Sequence, residues 1–123
     1  NDAIAIGTSA QYNGTGYAAI ALGAYAGEYN QSNYSVAIGY QAGNNGLGYR
    51  SIAIGENANY DGSGNYTVAL GYSAGRASPG YGSIAIGNDA GYAASNYSVA
   101  LGYQDTTTIN GLVGELLCIQ TIT

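Results

Sequence analysis

A five-residue phrase recurs seven times along this chain of 123 residues. It reads Ala3-Ile4-Ala5-Ile6-Gly7, then Ala19-Ile20-Ala21-Leu22-Gly23, Ser35-Val36-Ala37-Ile38-Gly39 and Ser51-Ile52-Ala53-Ile54-Gly55. Thr67-Val68-Ala69-Leu70-Gly71, Ser83-Ile84-Ala85-Ile86-Gly87 and Ser98-Val99-Ala100-Leu101-Gly102 complete the series. The closing glycines stand 16 residues apart five times and 15 once. Self-similarity at a fixed period marks a solenoid or array, whose units bury their faces only against one another. Branched residues alternate with Ala, a period of two rather than 3.6, so each phrase predicts a strand. Ala10, Ala26, Ala42, Ala58, Ala74 and Ala90, each three residues past a glycine, predict a second short strand in each rung. Asn13-Gly14, Asn45-Gly46, Asp61-Gly62 and Pro79-Gly80 supply the bends. The expected fold is all-β: a flattened parallel β-roll of about seven 16-residue rungs, roughly 34 Å long at about 4.8 Å per rung.

The pleat sends neighbouring side chains to opposite faces. One face carries Ile4, Ile6, Ile20, Leu22, Val36, Ile38, Ile52, Ile54, Val68, Leu70, Ile84, Ile86, Val99 and Leu101. The other carries Ala5, Ala21, Ala37, Ala53, Ala69, Ala85 and Ala100. Large against small suits a thin interior, so the branched residues are expected to fill the coil. Seven identical small residues on the outside would then mark the close approach of another backbone, an intersubunit interface.

Composition excludes whole classes of function. Two basic and seven acidic residues give a net charge of −5, and there is no Lys, so nucleic acid is not an expected partner. With no His, a Ser-His-Asp or Cys-His site cannot be built. The single Cys118 allows no internal disulfide, and no apolar run is long enough to insert in a membrane as a helix. Lacking an initiator Met and a basic-plus-apolar leader, the chain reads as a processed product or an excised piece. Glu56 and Asp89, about two rungs apart, have no cleft to work in, and no catalytic residue is expected. Asp61-Gly62-Ser63-Gly64-Asn65 has the look of a calcium loop but lacks the distal bidentate Glu, Tyr72 standing there, and reads as a turn. No metal site or cofactor is expected. Asn13, Asn30, Asn33, Asn65 and Asn96 open Asn-x-Ser/Thr triplets, which read first as turn entries.

Tyr, with 14 copies, follows a double period. Tyr17, Tyr49 and Tyr81 sit in Gly-Tyr contexts, Tyr34, Tyr66 and Tyr97 in Asn-Tyr-Ser/Thr, and Tyr40, Tyr72 and Tyr103 follow alternate glycines. The unit is thus 32 residues, with interleaving of bulky rings as the expected reason. Tyr29, Tyr60, Tyr92, Tyr40, Tyr72 and Tyr103 are the candidate ligand surface, because Tyr joins rigid contact area to a polar tip. The phrase ends at Gln104, where an apolar tail begins. Residues 1–103 are read as the repeat domain, and 104–123 as a short β-rich cap or a connector to a further fibre segment, since a terminal rung needs covering.

The Ser/Thr-Val/Ile-Ala-Ile/Leu-Gly phrases, with Ala42-Gly43, Ala74-Gly75 and Ala90-Gly91 trailing them, resemble the YadA-like head repeats of trimeric autotransporter adhesins. They are also similar to repeats of trimeric viral and phage fibres. The resemblance spans roughly residues 1–104, though the period here is slightly longer and richer in Tyr. It implies a left-handed β-roll, a homotrimer, and an extracellular place on a cell surface or a virion or phage fibre. It further implies a non-enzymatic spacer or attachment role, with a surface receptor, glycan or matrix protein as partner. An ice-binding or other extracellular solenoid filament is the alternative, but the Thr run, Thr106–Thr108, lies outside the rungs.

Overall fold

The computed structural model describes residues 2–14 and 16–104, together with the backbone of 109–110. Seven strands follow in order: β1 (Ile4–Ile6), β2 (Ile20–Leu22), β3 (Val36–Ile38), β4 (Ile52–Ile54), β5 (Val68–Leu70), β6 (Ile84–Ile86) and β7 (Ser98–Leu101). They form one parallel sheet in chain order, with Ala facing Ala and branched residue facing branched residue at every pairing. Each circuit of the chain advances one strand, making a parallel β-solenoid of about six turns. No helix occurs among the described residues. An eighth strand, β8 (Ile109–Asn110), pairs antiparallel with β7, Val99 opposite Ile109. The remainder of the expected cap or connector lies outside the described residues.

The opposite wall is not the second strand that the sequence predicts. Hydrogen bonds do climb it from rung to rung, as from Gly27 N to Ala42 O at 2.8 Å and Asn59 N to Ala74 O at 2.9 Å. Yet among the described residues only Asn13, Tyr29 and Asn45 make isolated bridges there. The backbone explains why. Two residues past each glycine, Tyr25, Gln41, Asn57, Ser73 and Asp89 hold φ between 52 and 60°, and two further on Gly27, Gly43, Asn59, Gly75 and Gly91 are left-handed again. Two left-handed residues so close together curl the chain and cannot continue a strand.

Between the sheet and the turn wall the interior is lined by Ala methyl groups, with Leu47 fully buried beside them. Ala21, Ala37, Ala53, Ala69, Ala85 and Ala100 of the sheet lie with Ala26, Ala42, Ala58, Ala74 and Ala90 of the turn wall, all 0–1% exposed within a single chain. This reverses the expected facing. Ile20, Leu22, Val36, Ile38, Ile52, Ile54, Val68, Leu70, Ile84, Ile86, Val99 and Leu101 do not fill the coil; they point outward and are partly or largely exposed. Ala5 alone of the seven Ala positions is exposed, in β1. The width of the gap decides the matter. A Cβ added at Gly91 on the turn wall would stand 2.7 Å from Ala85 Cβ and 3.2 Å from Ala100 Cβ. Such a gap holds one methyl between the walls, and an Ile side chain could enter only by forcing them apart.

Each remaining letter of the phrase has its own task. Ser35, Ser51, Thr67, Ser83 and Ser98 are buried at the corner before the strand. The four Ser hydroxyls satisfy turn carbonyls: Ser35 Oγ donates to Ser32 O at 2.6 Å, and Ser83 Oγ to Gly80 O at 2.8 Å, whereas Thr67 Oγ1 accepts from Asn59 Nδ2 at 3.4 Å. The closing glycines have φ near 128°, and a Cβ at Gly55 would lie 2.5 Å from the Gly71 carbonyl oxygen of the next rung. Only Gly meets both conditions.

Candidate functional site

The outer sheet face is the first candidate. Two branched side chains per rung repeat in register over seven strands and make one unbroken apolar strip. In a single chain Ile54 is 38% exposed and Leu101 58%. A contiguous apolar patch of this kind marks an interaction surface rather than an ordinary solvated wall. Its rungs lie about 4.8 Å apart, so a partner with the same period could contact every one.

A row of tyrosines borders this strip on the side where the chain enters each strand. Tyr17, Tyr34, Tyr49, Tyr66, Tyr81 and Tyr97 form a continuous ladder with centroids 5.3 to 5.8 Å apart and planes 67 to 85° from parallel. Here lies the reason for the 32-residue alternation. Rings at one fixed position would meet face to face at the rung spacing, whereas edge-to-face contact suits the ring quadrupole better. Tyr17, Tyr49 and Tyr81 stand six residues before their glycine, and Tyr34, Tyr66 and Tyr97 stand five before, so neighbours turn perpendicular. The later position is left-handed, with φ of 58° at Tyr34, 60° at Tyr66 and 55° at Tyr97. Asn33, Asn65 and Asn96 complete the alternation. Their Oδ1 atoms accept from the backbone N–H of Tyr17, Tyr49 and Tyr81 at 2.8 to 2.9 Å. These Asn-x-Ser/Thr triplets are therefore rung-to-rung ties. The Arg50 guanidinium lies 5.6 Å from the Tyr34 ring centre and 5.0 Å from that of Tyr49. The sequence marks the two alternating contexts but not that they share one ladder.

The six tyrosines singled out from sequence fall into two rows. Tyr40, Tyr72 and Tyr103 border the opposite margin of the strip, just past the closing glycine, and all three are exposed. Tyr25 packs edge-to-face on Tyr40 at 5.9 Å. Tyr29, Tyr60 and Tyr92 lie on the turn wall, Tyr29 and Tyr92 exposed and Tyr60 half-buried. The charge of Glu28, with a side-chain hydrogen bond from the phenol, holds the Tyr29 hydroxyl above its ordinary pKa. Glu28 is itself fixed by Asn44 Nδ2 at 2.8 Å. A shallow depression of about 370 Å³ is lined by Asn30, Gln31, Ser32, Asn33 and Tyr49.

Asp61 and its neighbours are part of the turn wall, with Asp61 N bonded to Arg76 O and Gly64 N to Pro79 O. Among the described residues no three His, Cys, Asp or Glu gather as a metal-holding group. No helix among them is long and apolar enough to cross a membrane. What the geometry offers is surface: an apolar strip, two aromatic margins and a rigid repeat.

One strand per circuit, a methyl-filled interior and an apolar outer wall define a structural β-solenoid repeat module. Residues 78–104 match the family model of the YadA head domain repeat in two copies. Over those residues the chain carries YadA-like head repeats. No curated protein and no solved structure gives a significant match.

Proposed function

We propose that this chain is a non-enzymatic segment of a trimeric surface fibre, an adhesin head or a viral or phage fibre, acting as a rigid spacer with an attachment surface. Three left-handed rolls stand side by side and turn their Ile, Val and Leu strips to a common axis. The single observation carrying this reading is that strip, repeated in register and left uncovered by the chain that bears it. Covering the exposed half of one such side chain is worth about 1 kcal/mol, and fourteen of them make the strip costly to leave in water. The interface therefore belongs to the branched residues and not to the Ala positions that the sequence first assigned to it. Residues 1–103 form the repeat domain, and 104–123 cap it or lead into the next fibre segment. The β8 pairing with β7 supports that role, since it covers part of an open edge.

Light scattering with small-angle scattering tests the reading. The expected result is an elongated particle of three times the 12.4 kDa chain mass. A wild-type monomer at working concentration would overturn it.

A further inference from the structure

From the third rung onward, the column that follows the closing glycines holds Tyr40, Glu56, Tyr72, Asn88 and Tyr103; Thr8 and Ala24 occupy it on the first two rungs. The backbone fixes this order in space: Asn57 N donates to Tyr40 O at 2.9 Å, Ser73 N to Glu56 O at 2.8 Å, Asp89 N to Tyr72 O at 2.8 Å and Gln104 N to Asn88 O at 2.7 Å. Over these five rungs every second one presents a ring, at intervals of about 9.6 Å, with a polar side chain between. The rings are 48, 48 and 71% exposed at Tyr40, Tyr72 and Tyr103. They differ from the ladder at the other margin, whose rings are spent on one another. Tyr72 and Tyr103 have no ring partner among the described residues, and Tyr40 has only Tyr25 beneath it.

We propose that this column is a rail for a neutral, linear β-1,4-linked polysaccharide. In such a chain successive sugars are turned over, so the same apolar C–H face returns once per disaccharide, a repeat close to the two-rung spacing. A flat aromatic ring beneath each returning face supplies stacking, and its phenol tip remains free for a sugar hydroxyl. Glu56 and Asn88 stand where the intervening sugars pass, and both are exposed. A carboxylate accepts from hydroxyls and an amide both donates and accepts, which suits a polyol. Glu56 and a net charge of −5 select against uronic or sialylated chains. The proposal deepens the attachment role given above. It needs only the outer surface of one chain and does not depend on the trimer.

The test is calorimetric titration of the wild-type protein with cello- and chito-oligosaccharides, as disaccharide, tetrasaccharide and hexasaccharide, at low and high salt. Affinity is expected to rise with each added disaccharide and to ignore salt. Tyr72→Ala should weaken hexasaccharide binding about tenfold, a plausible size for one lost ring contact. Tyr72→Phe should keep most of the affinity, and Tyr66→Ala in the opposite ladder should leave it unchanged. Absence of binding to all these oligosaccharides, or affinity independent of length, would overturn the proposal. So would a Tyr72→Ala variant whose oligomer dissociates, since the column would then be a subunit seam. Length-dependent binding by a monomeric wild type would support the rail while overturning the trimer.

Discussion

The direction in which the strands face can be tested by placing one charge on each side of β4. Ala53 is fully buried between Ala37 and Ala69, and Ile54, its neighbour in sequence, is 38% exposed on the outside. Glu at position 53 must enter a space one methyl wide. Overpacking alone costs about 1–3 kcal/mol, and a buried, unpaired carboxylate adds several more. The sum rivals the roughly 5–15 kcal/mol that stabilises a typical domain, so Ala53→Glu should not fold. Glu at position 54 reaches water in the single coil and costs it little. At a threefold axis, however, three such carboxylates would meet in an apolar setting, so Ile54→Glu should remain β-structured but lose the trimer. Circular dichroism with thermal melting reads the first effect, and light scattering reads the second. An Ala53→Glu protein that folds normally, beside an Ile54→Glu protein that stays trimeric, would show that the Ala column faces outward and would refute the reasoning.

Gly91→Ala should lower the melting temperature by the equivalent of about 1–3 kcal/mol, because φ is 64° and the new methyl meets Ala85 Cβ at 2.7 Å. Removing the ring at Tyr66 breaks edge-to-face contacts with both Tyr49 and Tyr81, at 5.7 and 5.3 Å. Tyr66→Ala should therefore cost about 1–3 kcal/mol in denaturant melts, and Tyr66→Phe far less. Asn65→Ala unties the Tyr49 N–H held at 2.9 Å and should destabilise by about 0.5–1.5 kcal/mol, measured the same way. Glu28→Gln should let the Tyr29 phenol ionise at lower pH, because the raising charge is gone; phenolate absorbance during a pH titration, compared with Tyr29→Phe, reads the change.

The candidate surfaces were only partly legible in the residues. Tyr40, Tyr72 and Tyr103 could be picked out because they recur after alternate closing glycines, and they are exposed. Tyr29, Tyr60 and Tyr92 stand out only by residue type, and Tyr60 is half-buried. The Arg76 guanidinium lies 5.9 Å from its ring centre. The six-ring ladder escaped sequence reasoning because its members occupy two positions in the phrase. Only stacking the rungs shows that a one-residue offset and a left-handed φ bring them into one row.

The sequence by itself determined the repeat, the strand of each phrase and its register. All of these follow from local periodicity and from residues, such as Gly55, that no other side chain can replace. It could not determine which face is inside. Alternation separates Ile from Ala without saying which of the two meets the other wall, and hydrophobicity alone points to Ile. The distance between the walls decides, and that distance is set by Ala26, Ala42, Ala58, Ala74 and Ala90 together with Gly75 and Gly91 on the turn wall. Small residues on both walls bring them within a methyl of one another, so the larger apolar side chains are left outside, facing whatever the fibre packs against.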